Sequence, residues 1–185
     1  MRRSTVTAAA LAMLAALAPA GTLHAQGGLI SVGIGGGASM PQGGFSDRAD
    51  VGWNAMATVA LNVPLLPIGL RLDGAYDRFN LSRSATGATT SGAQRVTSLT
   101  INPVLRLQIP FSPITPYIIG GGGTYNVGCA GGAQCESLSH FGWNAGAGVR
   151  LGALGVKAFA EARYHRVSVA SGTVQYVPVT IGVMF

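Results

Sequence analysis

Residues 67–79 read PIGLRLDGAYDRF, and the alternation along this stretch decides what kind of surface it makes. Ile68, Leu70, Leu72, Gly74 and Tyr76 fall on one side of an extended chain, while Arg71, Asp73 and Asp77 fall on the other. Successive side chains of a strand point to opposite faces, so this two-residue period predicts a β-strand with one apolar and one charged face. The same partition continues in both directions. Upstream, Trp53, Ala55, Ala57, Val59 and Leu61 alternate with Asn54 and Thr58. Downstream, Leu99, Ile101, Pro103, Leu105, Leu107 and Ile109 alternate with Asn102, Arg106 and Gln108. Tyr117, Ile119, Gly121, Gly123, Tyr125 and Val127 are assigned to the apolar face of a fifth strand. A sixth sets Phe141, Trp143, Ala145, Ala147, Val149 and Leu151 against Asn144 and Arg150. A seventh sets Val156, Ala158, Ala160, Ala162 and Tyr164 against Lys157, Glu161 and Arg163, and Val177, Val179, Ile181, Val183 and Phe185 form the apolar face of the last.

Eight strands are expected, over 29–39, 52–62, 67–79, 95–109, 115–127, 139–152, 155–167 and 174–185. The connections near 63–66, 110–114 and 153–154 are short and carry Pro or Gly, whereas those near 40–51, 80–94, 128–138 and 168–173 are longer and polar. Short periplasmic turns opposite longer outer loops are the asymmetry of an outer-membrane barrel, and an even strand count places both termini on the periplasmic side.

Composition agrees. The 185 residues suffice for one domain, and only 10% are charged, against about 25% in a soluble domain. The apolar content excludes disorder, and the basic residues form no stripe, so no nucleic-acid partner is expected. Alternation alone fits a soluble barrel as well as a lipid-embedded one. An eight-stranded interior is just wide enough for side chains to fill it, however, and Trp53, Trp143 and Tyr76 would crowd it. Trp53, Tyr76, Tyr125, Phe141, Trp143 and Tyr164 are placed near the outer ends, with Tyr117 and Phe185 near the periplasmic ends, as two aromatic girdles. The expected fold is therefore all-β: a monomeric, eight-stranded, antiparallel up-and-down transmembrane β-barrel in a bacterial outer membrane. Pro103 and Pro178 interrupt strands, and bulges are expected there.

The first 25 residues have the form of a cleavable secretory signal. Arg2 and Arg3 precede an apolar stretch from Ala8 to Ala18, and Leu23-His24-Ala25 forms a cleavage site before Gln26. The barrel domain then spans 26–185. Only two cysteines are present, Cys129 and Cys135, and export favours a local disulfide between them. Two cysteines make a poor zinc site, so no metal is expected.

The chain resembles the small outer-membrane β-barrel family of opacity-type proteins and OmpA-like transmembrane barrels. The resemblance rests on the closing alternation Val177, Val179, Ile181, Val183 and Phe185, and on Glu161, Arg163, Tyr164 and His165 before the last loop. It covers nearly all of the chain after the signal. It implies that the terminal aromatic Phe185 is read by the barrel-assembly machinery.

The chemistry offered by the residues is sparse. Arg71, Asp73, Arg106 and Glu161 are expected at similar heights in mid-lumen, with Asp77, Arg150 and Arg163 completing a charge network. Buried charges must be paired and hydrogen-bonded, so the network is either a structural plug or a gate. His165, Ser168 and Glu161 invite comparison with a lipid A-modifying hydrolase, but strand parity puts Ser168 on the face opposite His165. His140 and His165 are ordinary lumen or rim histidines, and the glycine runs 35–37 and 120–123 lack the Lys-Ser/Thr of a phosphate loop. No cofactor and no enzymatic activity are expected. Asp47, Arg48, Asp50, Arg83, Arg95 and Glu136 on the outer loops are solvated, or else meet lipopolysaccharide or an extracellular ligand. The expected function is structural or adhesive, with a narrow channel or a transporter of small apolar ligands as the rival.

Overall fold

The computed structural model describes residues 29–63, 66–81, 92–130, 138–153, 156–170 and 172–185. The signal segment 1–25, Arg83, Cys135 and Glu136 lie outside the described residues, as does the side chain of Cys129, so the expected disulfide does too. Eight antiparallel strands close into one barrel in chain order. They are β1 (Ile30–Gln42), β2 (Gly52–Asn62), β3 (Ile68–Asn80), β4 (Ala93–Arg106), β5 (Ile114–Ala130), β6 (Leu138–Ala153), β7 (Val156–Val169) and β8 (Gly172–Met184).

The register fixes the barrel's geometry. From Val32 the pairing runs through Val59, Leu72, Ile101, Gly122, Trp143, Arg166 and Gln175. It returns to β1 at Gln42, ten residues beyond its start. Eight strands with that stagger incline by about 40° to the barrel axis, inside the usual range for closed barrels. Closure satisfies the backbone without edges, which is what a sheet in hydrocarbon requires.

The barrel is inside out. Val59, Leu72, Ile101, Val149 and Ile181 lie exposed on the wall, while Thr58, Asp73, Asn102, Glu161 and Thr180 are buried inside. A continuous exposed apolar band of this extent is unfavourable in water and suits lipid. Trp53 and Trp143 are 50% and 45% exposed, and each leans on a tyrosine of the next strand. Trp53 meets Tyr76 with ring centroids 5.4 Å apart, and Trp143 meets Tyr164 at 5.6 Å. With exposed Phe141 they form a belt near the end that bears the β1–β2 and β3–β4 connections. Arg78 and Arg166 also face outward at this end.

Three expectations are corrected here. The fifth strand is turned over: Tyr117 and Tyr125 are 2% and 0% exposed, inside the barrel, and Ile118 and Thr124 face out. Neither tyrosine is therefore a girdle residue. The misreading has a physical cause, since neither face of TPYIIGGGGTYNVG carries a charge to mark the interior. The β7–β8 connection is also shorter than the 168–173 expected, because the strands run to Val169 and resume at Gly172. Finally, Pro103 and Pro178 make no bulge. The β4–β5 ladder skips from Ile101↔Gly122 to Val104↔Ile119, and β7–β8 from Ala162↔Val179 to His165↔Tyr176, with the same offset on both sides. On its other side each proline stays paired, with Leu70 and Ser39 respectively. The missing N–H removes local pairing without shifting the register.

Candidate functional site

The described interior is occupied in tiers. At mid-height four charged side chains, two from β3 and two from β7, form a closed ring. Arg71 Nε lies 2.9 Å from Asp73 Oδ1 and its Nη2 lies 2.8 Å from Glu161 Oε1. Arg163 Nη1 lies 2.9 Å from Asp73 Oδ2, and its Nε lies 2.7 Å from Glu161 Oε1. All four are at most 4% exposed, and their formal charges cancel. β3 and β7 face each other across the barrel, so the ring ties opposite walls together.

The remaining lone pairs are largely taken. The Tyr117 hydroxyl donates to Glu161 Oε2 at 2.8 Å, and Asn102 Nδ2 donates to Asp73 Oδ2 at 2.7 Å. Asn144 in turn donates to Asn102 Oδ1 at 2.9 Å. Arg71 Nη1, Asp73 Oδ1 and Asn144 Oδ1 are left without a hydrogen-bond partner, so the pairing that makes buried charge tolerable is extensive but not complete. Asp77 stands one tier higher and accepts from the Ser39 hydroxyl at 2.5 Å. Asn54 links Ser39 to Thr180 through bonds of 3.3 and 2.9 Å.

Above the ring, the lumen turns apolar. Phe45, Ala49, Phe79, Val96, Tyr125, Val167, Val174 and Tyr176 form one buried cluster. Phe45 reaches it from the β1–β2 connection, at the end of a 3-10 turn (Gly43–Phe45) whose Gly43 has φ +57°, a conformation open to glycine. Its ring meets Phe79 edge-on at 5.0 Å, and Phe79 meets Tyr176 at 5.4 Å. Tyr176 stacks on His165 at 5.0 Å, and the Tyr125 hydroxyl lies 3.0 Å from His165 Nδ1.

The predicted network thus divides. Arg71, Asp73, Glu161 and Arg163 meet, and Asp77 lies above them. Arg106 and Arg150 do not join. Arg106 is not at mid-lumen but at the lower mouth, where it donates to the Asn62 side chain and, at 2.9 Å, to the Ile68 carbonyl. Arg150 donates to Met184 Sδ at 3.4 Å and lies 5.8 Å from the Tyr117 ring. The β4 register is responsible, since Arg106 pairs with Tyr117, below the Asn102 that reaches Asp73. His165 is buried and Ser168 faces outward, so these two do not approach as nucleophile and base. Among the described residues no cluster of His, Cys, Asp or Glu could hold a metal. Asp47, Arg48, Asp50 and Arg95 are exposed at the outer end, and Phe185 is exposed at the other, its carbonyl accepting from Val32 N–H at 3.1 Å.

Sequence reasoning missed the aromatic tier. Its signal was present on the polar faces themselves, where Phe79 follows Asp77 and Tyr176 alternates with Val177. Phe45 is the one large apolar residue between Gln42 and Asp50.

No protein-family model matches the chain, and no curated protein matches it in sequence. Solved structures do resemble it. Neisserial surface protein A superposes with a TM-score of 0.68 at 14% identity, over 85% of this chain and 96% of that one. A major outer membrane protein of Thermus thermophilus gives a TM-score of 0.50 at 12% identity, over 84% and 98%. At such identities the likeness concerns the fold: this chain has the architecture of the small eight-stranded outer-membrane barrels.

Proposed function

We propose that the protein is a non-enzymatic, monomeric outer-membrane barrel with a closed lumen, acting as a structural or adhesive element through its outer loops. The single observation that carries this reading is the double closure of the interior. An ion-paired ring spans the middle, and an aromatic cluster that includes a loop residue, Phe45, fills the outer end. Lipid surrounds the apolar wall, with lipopolysaccharide around its outer leaflet. The exposed Asp47, Arg48, Asp50 and Arg95 offer polar contact to lipopolysaccharide or to an extracellular ligand. Phe185 serves as the aromatic mark for the assembly machinery.

The transport rival finds little support in the same interior, because both tiers obstruct a path through it. A groove of about 620 Å³ is lined by Val149, Leu151, Ala158, Ala160, Ile181 and Val183 among others, but these belong to the outer wall, where lipid chains reach them. Single-channel recording of the purified barrel in planar bilayers tests the proposal. Quiet traces at all voltages are expected, and discrete, reproducible openings would replace the closed-barrel reading with a channel.

A further inference from the structure

Charge is unevenly distributed along the barrel. The six acidic residues of the chain are Asp47, Asp50, Asp73, Asp77, Glu136 and Glu161. None belongs to the connections or strand ends of the periplasmic mouth. Glu161 stands nearest to it, and that carboxylate is already shared among Arg71, Arg163 and Tyr117. Three cations nevertheless converge on this mouth. Their strand neighbours Leu105, Val149, Leu151 and Ala158 are exposed on the wall, so by alternation Arg106, Arg150 and Lys157 point inward.

The pairing sets them side by side. Arg150 is paired with Phe159 and Gly152 with Lys157, which makes Arg150 and Lys157 diagonal neighbours on one face of β6 and β7. Arg106 approaches from β4, and Lys157 lies within electrostatic range of both arginines. Like charges so placed repel and destabilise the sheet. Arg106 is committed to Asn62 and the Ile68 carbonyl. The other two hold no strong hydrogen bond, although the Arg150 guanidinium also lies 5.8 Å from the Tyr117 ring. Arg150 Nε is buried with no hydrogen-bond partner, and its Nη2 has only the weak thioether acceptor of Met184. Among the described residues Lys157 forms no ion pair.

We propose that the periplasmic mouth of the lumen is a binding site for a phosphate group, gripped by Arg150 and Lys157 with Arg106 at its edge. A multiply charged oxyanion matches three cations better than a carboxylate does. The arginine fork presents parallel donors to two of its oxygens, and the lysine supplies a point charge for a third. Arg150, whose buried Nε has no hydrogen-bond partner, is the donor the ligand would draw on once its fork turns toward the mouth. The phosphate is either free in the periplasm or the headgroup of a phospholipid at the rim. The site goes beyond the proposed outer-loop function and does not depend on it.

The test uses the isotopically labelled barrel folded in uncharged maltoside micelles, observed by NMR at the Arg150 Nε–H and the Lys157 amide. It is titrated with sodium phosphate and, at matched ionic strength, with sodium chloride. In a second arm dihexanoyl phosphatidylglycerol is added to the micelles. Saturable shifts at both residues are expected with phosphate and not with chloride. The double variant Arg150→Gln, Lys157→Gln should lose roughly tenfold or more in affinity while keeping the unboiled gel mobility of the folded barrel. Saturation by the lipid alone would assign the site to a headgroup, and saturation by inorganic phosphate would show that a free ion suffices. Shifts that match chloride, or that persist unchanged in the double variant, would overturn the proposal.

Discussion

Removing the Glu161 carboxylate strips acceptors from Arg71, Arg163 and Tyr117 at once, leaving two guanidinium groups in a buried interior with a single acid between them. Breaking a buried ion pair on one side costs about 3–5 kcal/mol. Glu161→Ala should destabilise the barrel in lipid vesicles by that order, read from its urea midpoint, whereas an unchanged midpoint would contradict a working network. Glu161→Gln, which keeps hydrogen-bond acceptors, should lie between the two. At this scale much of the site was legible. Arg71, Asp73, Glu161 and Arg163 could be assigned to the interior because charge on an otherwise apolar strand marks its inner face. Height was read less securely, since alternation fixes only a face: Arg71, Asp73 and Glu161 were expected at one mid-lumen level and meet there, but Arg106, expected with them, does not. Arg106 shows the difference: its face was right, yet the stagger between strands carries it down to the mouth.

At the scale of the element, β5 shows where such reading fails. Four glycines occupy its centre and tyrosines stand on the same parity at both ends, so either face could have been the lipid side. The neighbouring strands settle the matter through their register. Gly121, on the inner face, lies so close to β4 that an added Cβ would stand 2.0 Å from the Ile101 carbonyl oxygen and 2.6 Å from Asn102 Oδ1. Gly121→Ala should therefore prevent the β4–β5 contact from closing. The expected outcome is loss of the compact, fast-migrating band on unboiled gels, and a variant that keeps this band would show that the strands can separate at no cost. Strand existence and strand order, by contrast, followed from local patterning, because each segment alternates for long enough to exclude a helix.

For the molecule as a whole, the two closures of the lumen are separable. Phe45→Ala removes the loop ring from the aromatic tier, and truncating a buried phenylalanine costs about 3–5 kcal/mol. The outer end should loosen, seen as earlier proteolysis of the β1–β2 connection, but the ion-paired ring beneath should keep bilayers electrically silent. Combining Phe45→Ala with Glu161→Ala should produce openings more frequent than either change produces alone. Openings from Phe45→Ala by itself would place the only barrier in the aromatic tier. The inward turn of the β1–β2 connection could not be read from sequence, because a polar loop with one phenylalanine is as consistent with an exposed contact loop as with a plug.

On this fold the apolar face of every strand should meet lipid. The chain contains two tryptophans, Trp53 and Trp143, and both stand on that face. The most direct measurement is therefore their fluorescence in vesicles of brominated phospholipid. Strong quenching by the brominated chains, with little quenching by aqueous iodide, is the predicted result. Emission indifferent to bromine and quenched by iodide would put the tryptophans in water and turn the barrel the other way round.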